Sequence, residues 1–380
     1  MKKRILCAAV CLMLIIAVII PALPAYAEYD AAAVFVTEAL TGEAIAEQNA
    51  DAPLFPAALV KLMSFLLFFE ALESGRASES DMVSISPNAA SKGGTSVFLD
   101  AGTQYPFSDL LQAAIVSSGN DATVALAEHI AGTETAFTEL MNRRAAELGL
   151  TGHFSDPMGL DNTTAVSARE LGRIAAELAR QSKFFSYSTV WTYTFNHQSG
   201  RQTELTSSNK LVKTEGYDGM VTGSSRDAGY CLAASLKGGK TRFIAIILGS
   251  QSSEKRFDTA REVLGGIAAG YSVYEAARQG AKIKSHPIAG ARQETVDICA
   301  ANDLVLLVKK EQEQGITKNL EIGELSAPLK NGDVVGSMTV TIPDGEKHSI
   351  DLIVCEDIEA SSLISGIKRL SHMWLFGSAG

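Results

Sequence analysis

The sequence predicts an α+β fold: a sheet flanked by helices with a helical insert, followed by a small all-β domain and a C-terminal amphipathic helix. Three observations carry this. Strand-like segments stand at both ends of the first 275 residues or so, with a block of helical periodicity between them, so the two ends can share one sheet. "TRFIAIILGS" is a continuous apolar run with a polar end, as a central strand requires. Past about residue 280 the chain changes to short alternating segments broken by Gly, Asn and Asp.

The elements follow in order. Residues 31–37, "AAAVFVT", read as a strand, and "LTGEAI" as the turn to a second one. A helix is expected from about 57 to 75, ending at Gly75, and others over about 107–118, 120–131, 133–148 and from Ser167 onward. "WTYTFN", "GYCLAASL" and "TRFIAIILGS" are strands, and a final helix covers about 254–271. In the second part "KNGD" and "PDGE" are hairpin signals. The segment "ASSLISGIKRLSHMWLFGSAG" puts Leu363, Ile367, Leu370 and Trp374 at helical spacing, with Lys368, Arg369 and His372 off that stripe. This pattern fits an in-plane membrane helix better than one packed on the β domain. The expected limits are 1–27, 28–275, 280–357 and 358–380.

The first 27 residues are a candidate export signal: Lys2, Lys3 and Arg4, an apolar run, Pro21 and Pro24, then Ala25-Tyr26-Ala27. Net charge over the 380 residues is -10, which argues against nucleic acid as a partner. Cys231, Cys299 and Cys355 would remain after signal removal, an odd and sparse set with no C-x-x-C, so neither a disulfide framework nor a zinc site follows. With six histidines, none in H-E-x-x-H spacing, no metal and no cofactor is expected.

Lys61 is the first anomaly. In "FPAALVKLMSFLLFFEALESG" it falls one turn inside a core-facing helix, where a lysine needs a partner. Two other stretches bear on it: "SSGNDATVALAE", with Ser118-Gly119-Asn120 just before a helix, and "DGMVTGSSRDAGYCLAAS", with Val221-Thr222-Gly223 just before a strand. Alone, Ser118-Gly119-Asn120 is no more than a helix N-cap signature. In order and spacing the three resemble the S-x-x-K, S-x-N and K-T-G motifs of penicillin-binding proteins and serine β-lactamases. "FSDPMGLDN", "AGYCLAAS" and "SAPLKNGDVVG" bring the resemblance closer to low-molecular-mass D-alanyl-D-alanine carboxypeptidases, over nearly the whole mature chain.

The resemblance implies a serine nucleophile activated by a lysine one turn later, an S-x-N pair that relays protons and holds substrate, and a K-T-G strand alongside the peptide. It also implies an oxyanion hole from two backbone N–H groups. Lys61, Ser118, Asn120, Thr222 and Gly223 match, and Ser224 follows them on the substrate-binding strand. The nucleophile position holds Ala58, the K-T-G lysine position holds Val221, and Val60 stands where a small hydroxyl residue is usual. Elsewhere, removing an activated serine costs on the order of 10⁶ in rate. The resemblance therefore implies a cell-wall protein that has lost catalysis. It would be exported to the outer face of the cytoplasmic membrane and bind peptidoglycan stem peptide or protein partners. The sequence names no protein partner. Alternatives are a working carboxypeptidase using Ser64 or Ser118 as nucleophile, and a β domain that carries the function through protein contacts. Other S-x-x-K strings begin at Ser207, Ser252 and Ser365, none ahead of a long apolar helix near the N-terminus.

Overall fold

The computed structural model describes residues 29–361; the expected export signal and amphipathic C-terminal helix lie outside them. The strand Thr241–Ser250 is central, with Ala33–Glu38 antiparallel on one side and Gly229–Gly238 on the other. First and last strands of this part thus share one sheet. Ala44–Gln48 extends it beyond Ala33–Glu38, and the short strands Tyr217–Gly219 and Thr222–Ser225 both pair with Gly229–Gly238. The apolar run of the central strand serves two cores at once. Ile244, Ile246 and Leu248 pack among the helices of one face; Phe243, Ala245 and Ile247 pack under the helix Ser253–Gly270 on the other. A strand buried on both faces cannot show an alternating pattern.

The helical block lies over the first face. Lys61–Glu73 is its axis: every residue from Lys61 to Phe69 is buried. Its phenylalanines Phe65, Phe68 and Phe69 meet Phe107, Phe137 and Phe184 at centroid distances of 5.3–6.4 Å. Residues 57–60, expected in the same helix, form a tighter 3₁₀ turn instead. The helices Phe107–Ser117, Asn120–Ala131, Glu134–Glu147 and Ala168–Arg180 follow. The last opens on a capping box, with Ser167 Oγ accepting from the Glu170 N–H and Glu170 accepting from the Ser167 N–H.

The second part is all β. Strands Thr317–Ile322, Val334–Thr341, Lys347–Val354, Thr295–Ala300, Lys282–Ala289 and Leu325–Ser326 form one sheet in that spatial order, and Tyr271–Ala277 pairs with Leu304–Lys309 beside it. "PDGE" makes the expected hairpin between Val334–Thr341 and Lys347–Val354. "KNGD" makes a turn but no hairpin, because Leu325–Ser326 before it pairs with Lys282–Ala289. The cysteine expectation needs correction too. Cys299 forms a disulfide with Cys355, which directly follows the strand Lys347–Val354 that pairs with Thr295–Ala300, at a sequence separation of 56. Only strand pairing brings these two together, and spacing along the chain does not show it. Cys231 is free and buried. Among the described residues no helix is long and apolar enough to cross a membrane.

Candidate active site

Ala58, Lys61, Ser118, Asn120, Thr222, Gly223 and Ser224 all line one cleft of about 350 Å³. The 3₁₀ turn Ala57–Val60 presents Ala58 to it, half-buried, and runs straight into the core helix. Lys61 at the start of that helix is 1% exposed. Its Nζ donates to Asn120 Oδ1 at 2.7 Å and to the Met158 carbonyl at 3.2 Å. Burial disfavours the ammonium and pulls the pKa of Lys61 down to about 7, against the opposing pull of the Asp156 and Asp121 carboxylates.

The second wall comes from a break between two helices. Phe107–Ser117 ends at Ser118, which adopts left-handed geometry (φ 60°, ψ 36°), and the next helix begins at Asn120. A serine in that conformation is strained, as residues at functional sites often are. The break holds Ser118 Oγ in a buried position with no hydrogen-bond partner among the described residues. Asn120 is held at both ends: Nδ2 donates to the Gly93 carbonyl at 2.7 Å, and its backbone N–H to the Thr95 carbonyl at 2.7 Å. Buried Asp121 accepts from Ser96 Oγ and from the N–H groups of Val97 and Leu99, fastening the 93–99 loop beside the cleft.

The third wall is the strand Thr222–Ser225. Thr222 Oγ1 is hydrogen-bonded to Ser208 Oγ. A Cβ on Gly223 would come within 2.8 Å of the Ala58 nitrogen, so glycine permits the close approach of strand and 3₁₀ turn. Val221 is not part of this wall. It is 5% exposed and packs into the helix-side core, while its carbonyl accepts from the Ala233 N–H.

Sequence reasoning assigned no role to three groups here. Asp156 accepts four backbone N–H groups, from Met158, Gly159, Leu160 and Asp161, at 2.6–3.0 Å, and so shapes the turn whose Met158 carbonyl meets Lys61. Gly159 (φ +78°) lies against that same 3₁₀ turn; a Cβ there would sit 2.0 Å from the Ala57 carbonyl oxygen. Arg256, buried, lines the cleft and donates from one nitrogen to the Gly223 and Cys231 carbonyls at 2.9 and 3.1 Å. "FSDPMGLDN" contained the first two; nothing in the helical pattern around Arg256 marked it. Ser64 is fully buried, its hydroxyl donating to the Pro157 carbonyl at 2.7 Å, and it does not line the cleft. Ser252, from a chance S-x-x-K string, is the N-cap of Ser253–Gly270.

A helix-flanked antiparallel sheet, with a lysine-bearing core helix, a serine–asparagine break and a threonine–glycine strand around one cleft, is the framework of the penicillin-interacting serine enzymes. Residues 21–252 match the family model of D-alanyl-D-alanine carboxypeptidase, and residues 271–360 match that of the penicillin-binding protein 5 C-terminal domain. The chain belongs to the D-alanyl-D-alanine carboxypeptidase family. It is 29% identical to D-alanyl-D-alanine carboxypeptidase DacF of Bacillus subtilis, covering 91% of this chain and 90% of that one. With DacC of Escherichia coli the identity is 30%, over 92% and 90%. Penicillin-binding protein 5 from Haemophilus influenzae superposes with a TM-score of 0.77 at 29% identity, over 88% of this chain and 98% of that one.

Proposed function

We propose that this chain is a pseudoenzyme of its family that binds stem peptides ending in D-alanyl-D-alanine and does not cleave them. In this reading it is exported, and its C-terminal segment holds it at the outer face of the cytoplasmic membrane. The observation that carries the proposal is Ala58. Acyl transfer in this framework needs an oxygen at that position, placed next to the lysine that takes its proton. Lys61, with a pKa near 7, is a capable proton acceptor at neutral pH, but residue 58 has no proton to give. Val221 offers no cation to a substrate carboxylate. Binding has better support than turnover. The cleft is intact in outline, its strand wall is polar, and Arg256 still supplies positive charge. A disulfide in the β domain fits an oxidising compartment outside the cytoplasm.

Two measurements on the purified full chain test this. Labelling with a fluorescent penicillin should give no covalent band, and a stem pentapeptide should release no D-alanine. Calorimetry with the same peptide should show saturable binding. A covalent band lost on hydroxylamine treatment would overturn the pseudoenzyme reading. A second reading, acylation of Ser118, has one observation in its favour: an unpartnered hydroxyl lining the cleft that Lys61 also lines. The same gel decides it, because Ser118→Ala would then abolish the band.

A further inference from the structure

Binding by this cleft, if the proposal above holds, raises the question of what it reads beyond the D-alanyl-D-alanine end. Among the described residues the strand Thr222–Ser225 pairs only on one side, with Gly229–Gly238. Successive side chains of a strand point to opposite faces. Yet Thr222, Gly223, Ser224 and Ser225 all line the cleft, so the cleft runs along the free edge of this strand. A free edge of that kind accepts an extended peptide through its backbone groups.

The two ends of this edge carry opposite charge. Near Gly223 is Arg256, bonded to its carbonyl. Beyond Ser225 the chain turns, and Asp227 in that turn also lines the cleft. It is the one carboxylate among the lining residues, and it is exposed. Nδ2 of Asn162, which also lines the cleft, donates to the Asp227 Oδ2 at 3.1 Å, and the Asp227 Oδ1 accepts no hydrogen bond among the described residues. The nearby Asp161 differs: its Oδ1 is taken by the Thr163 N–H and hydroxyl at 2.9 and 2.7 Å. Gly223 marks the level of residue 58, where the reacting bond of a substrate would lie. From Gly223 to Ser225 is about 7 Å of extended strand, with Asp227 just past it, so a bound peptide meets Asp227 two or three residues before its C-terminal end.

We propose that Asp227, oriented by Asn162, is a specificity-determining residue that recognises an ammonium group on the side chain preceding D-alanyl-D-alanine. The cleft then selects stem peptides by an amine-bearing third residue. Exposed ion pairs are weak, so the expected preference is about three- to fivefold in Kd.

The test compares two peptides on the full chain by calorimetry at low salt: one ending lysyl-D-alanyl-D-alanine and the same peptide with the lysine ε-amine acetylated. The proposal expects the free amine to bind three to five times tighter, the gap to shrink in 0.5 M salt, and Asp227→Asn to close it without weakening the acetylated peptide. Equal binding of the two peptides by the unmodified protein would overturn this assignment and leave the binding proposal standing. A gap that persists in Asp227→Asn would also overturn it, since the amine would be read elsewhere. If neither peptide binds, the underlying reading of the cleft fails, and this inference with it.

Discussion

The two sides of the cleft differ at the positions that the proposed pseudoenzyme reading turns on. On the helix side the proposal places the lost nucleophile at Ala58, and the network around that residue is complete without a side-chain oxygen there. Lys61 is partnered by Asn120 and the Met158 carbonyl, Asn120 by Gly93 and Thr95, and the 156–161 turn by Asp156. None of these bonds involves residue 58. On the strand side the proposal places the lost cation at Val221, and that residue is packed into the apolar core. A buried amine is costly and persists only with partners, whereas a buried valine is stable by itself. The helix side thus holds a costly polar arrangement that residue 58 does not support, while position 221 on the strand side is ordinary core.

That contrast predicts the largest effect. Ala58→Ser puts a hydroxyl into a half-buried position one turn from Lys61, beside an intact network, and should restore slow acylation by a fluorescent penicillin. It should not restore carboxypeptidase activity, because Val221 remains apolar. Ala58→Ser with Val221→Lys should release D-alanine from a stem pentapeptide at least about a hundredfold faster than either single change, since groups that act as one unit are strongly non-additive. A silent double variant would mean that the two sides differ less than they look, and that decay extends to other positions.

The next effect in size is on stability. If the Asp156 turn holds Lys61's carbonyl partner in place, Asp156→Ala should cost about 3–5 kcal/mol by freeing four backbone donors, the Met158 and Gly159 N–H groups buried among them, and weakening the lysine's partner. Gly159→Ala should cost a comparable amount, since its Cβ would overlap the Ala57 carbonyl. Urea unfolding midpoints read both. Val221→Ala, on the other side, should cost no more than an ordinary small core truncation of about 1–2 kcal/mol. Equal losses at Asp156 and Val221 would abolish the distinction drawn here.

How much of this was legible in the sequence depends on which interactions are local. Most helix positions were, because periodicity and caps are local: the helix expected from Ser167 onward begins there, on a capping box with Glu170, although the one expected from 57 opens as a 3₁₀ turn. The edges of the cleft were legible as motif positions. What filled the space between them was not. Asp156 satisfies its own turn, which a string such as "SDPMGLDN" hints at only through its turn residues. Arg256 reaches the Gly223 carbonyl from a helix 33 residues away, and no pattern within that helix points to it. Cys299 and Cys355 failed for the same reason, being joined through strand pairing. The depth of Lys61 was anticipated from its apolar neighbours; its Met158 carbonyl partner came from a loop 97 residues on.

The smallest effect is a pH dependence confined to the helix side. Burial lowers the pKa of Lys61 from 10.5 to about 7. Between those values the unfolded chain binds a proton that the folded chain does not, so folding stability rises with pH across that window. The full slope is about 1.4 kcal/mol per pH unit, and between pH 6.5 and 8.5 the gain integrates to about 2 kcal/mol. Cys231, whose pKa burial raises to about 11, acts in the opposite sense, since its contribution is lost as pH climbs above its unfolded value near 9. The measurement should therefore stop at pH 8.5. Lys61→Met has no titrating group at this position and keeps much of the side-chain volume. The difference in unfolding free energy between the unmodified protein and Lys61→Met should thus shift by about 2 kcal/mol in favour of the unmodified protein over that range. Subtracting the two curves cancels the titrations that do not depend on Lys61. A flat difference would show that Lys61 keeps an ordinary amine pKa despite its burial, and that the helix side carries less electrostatic strain than its geometry implies.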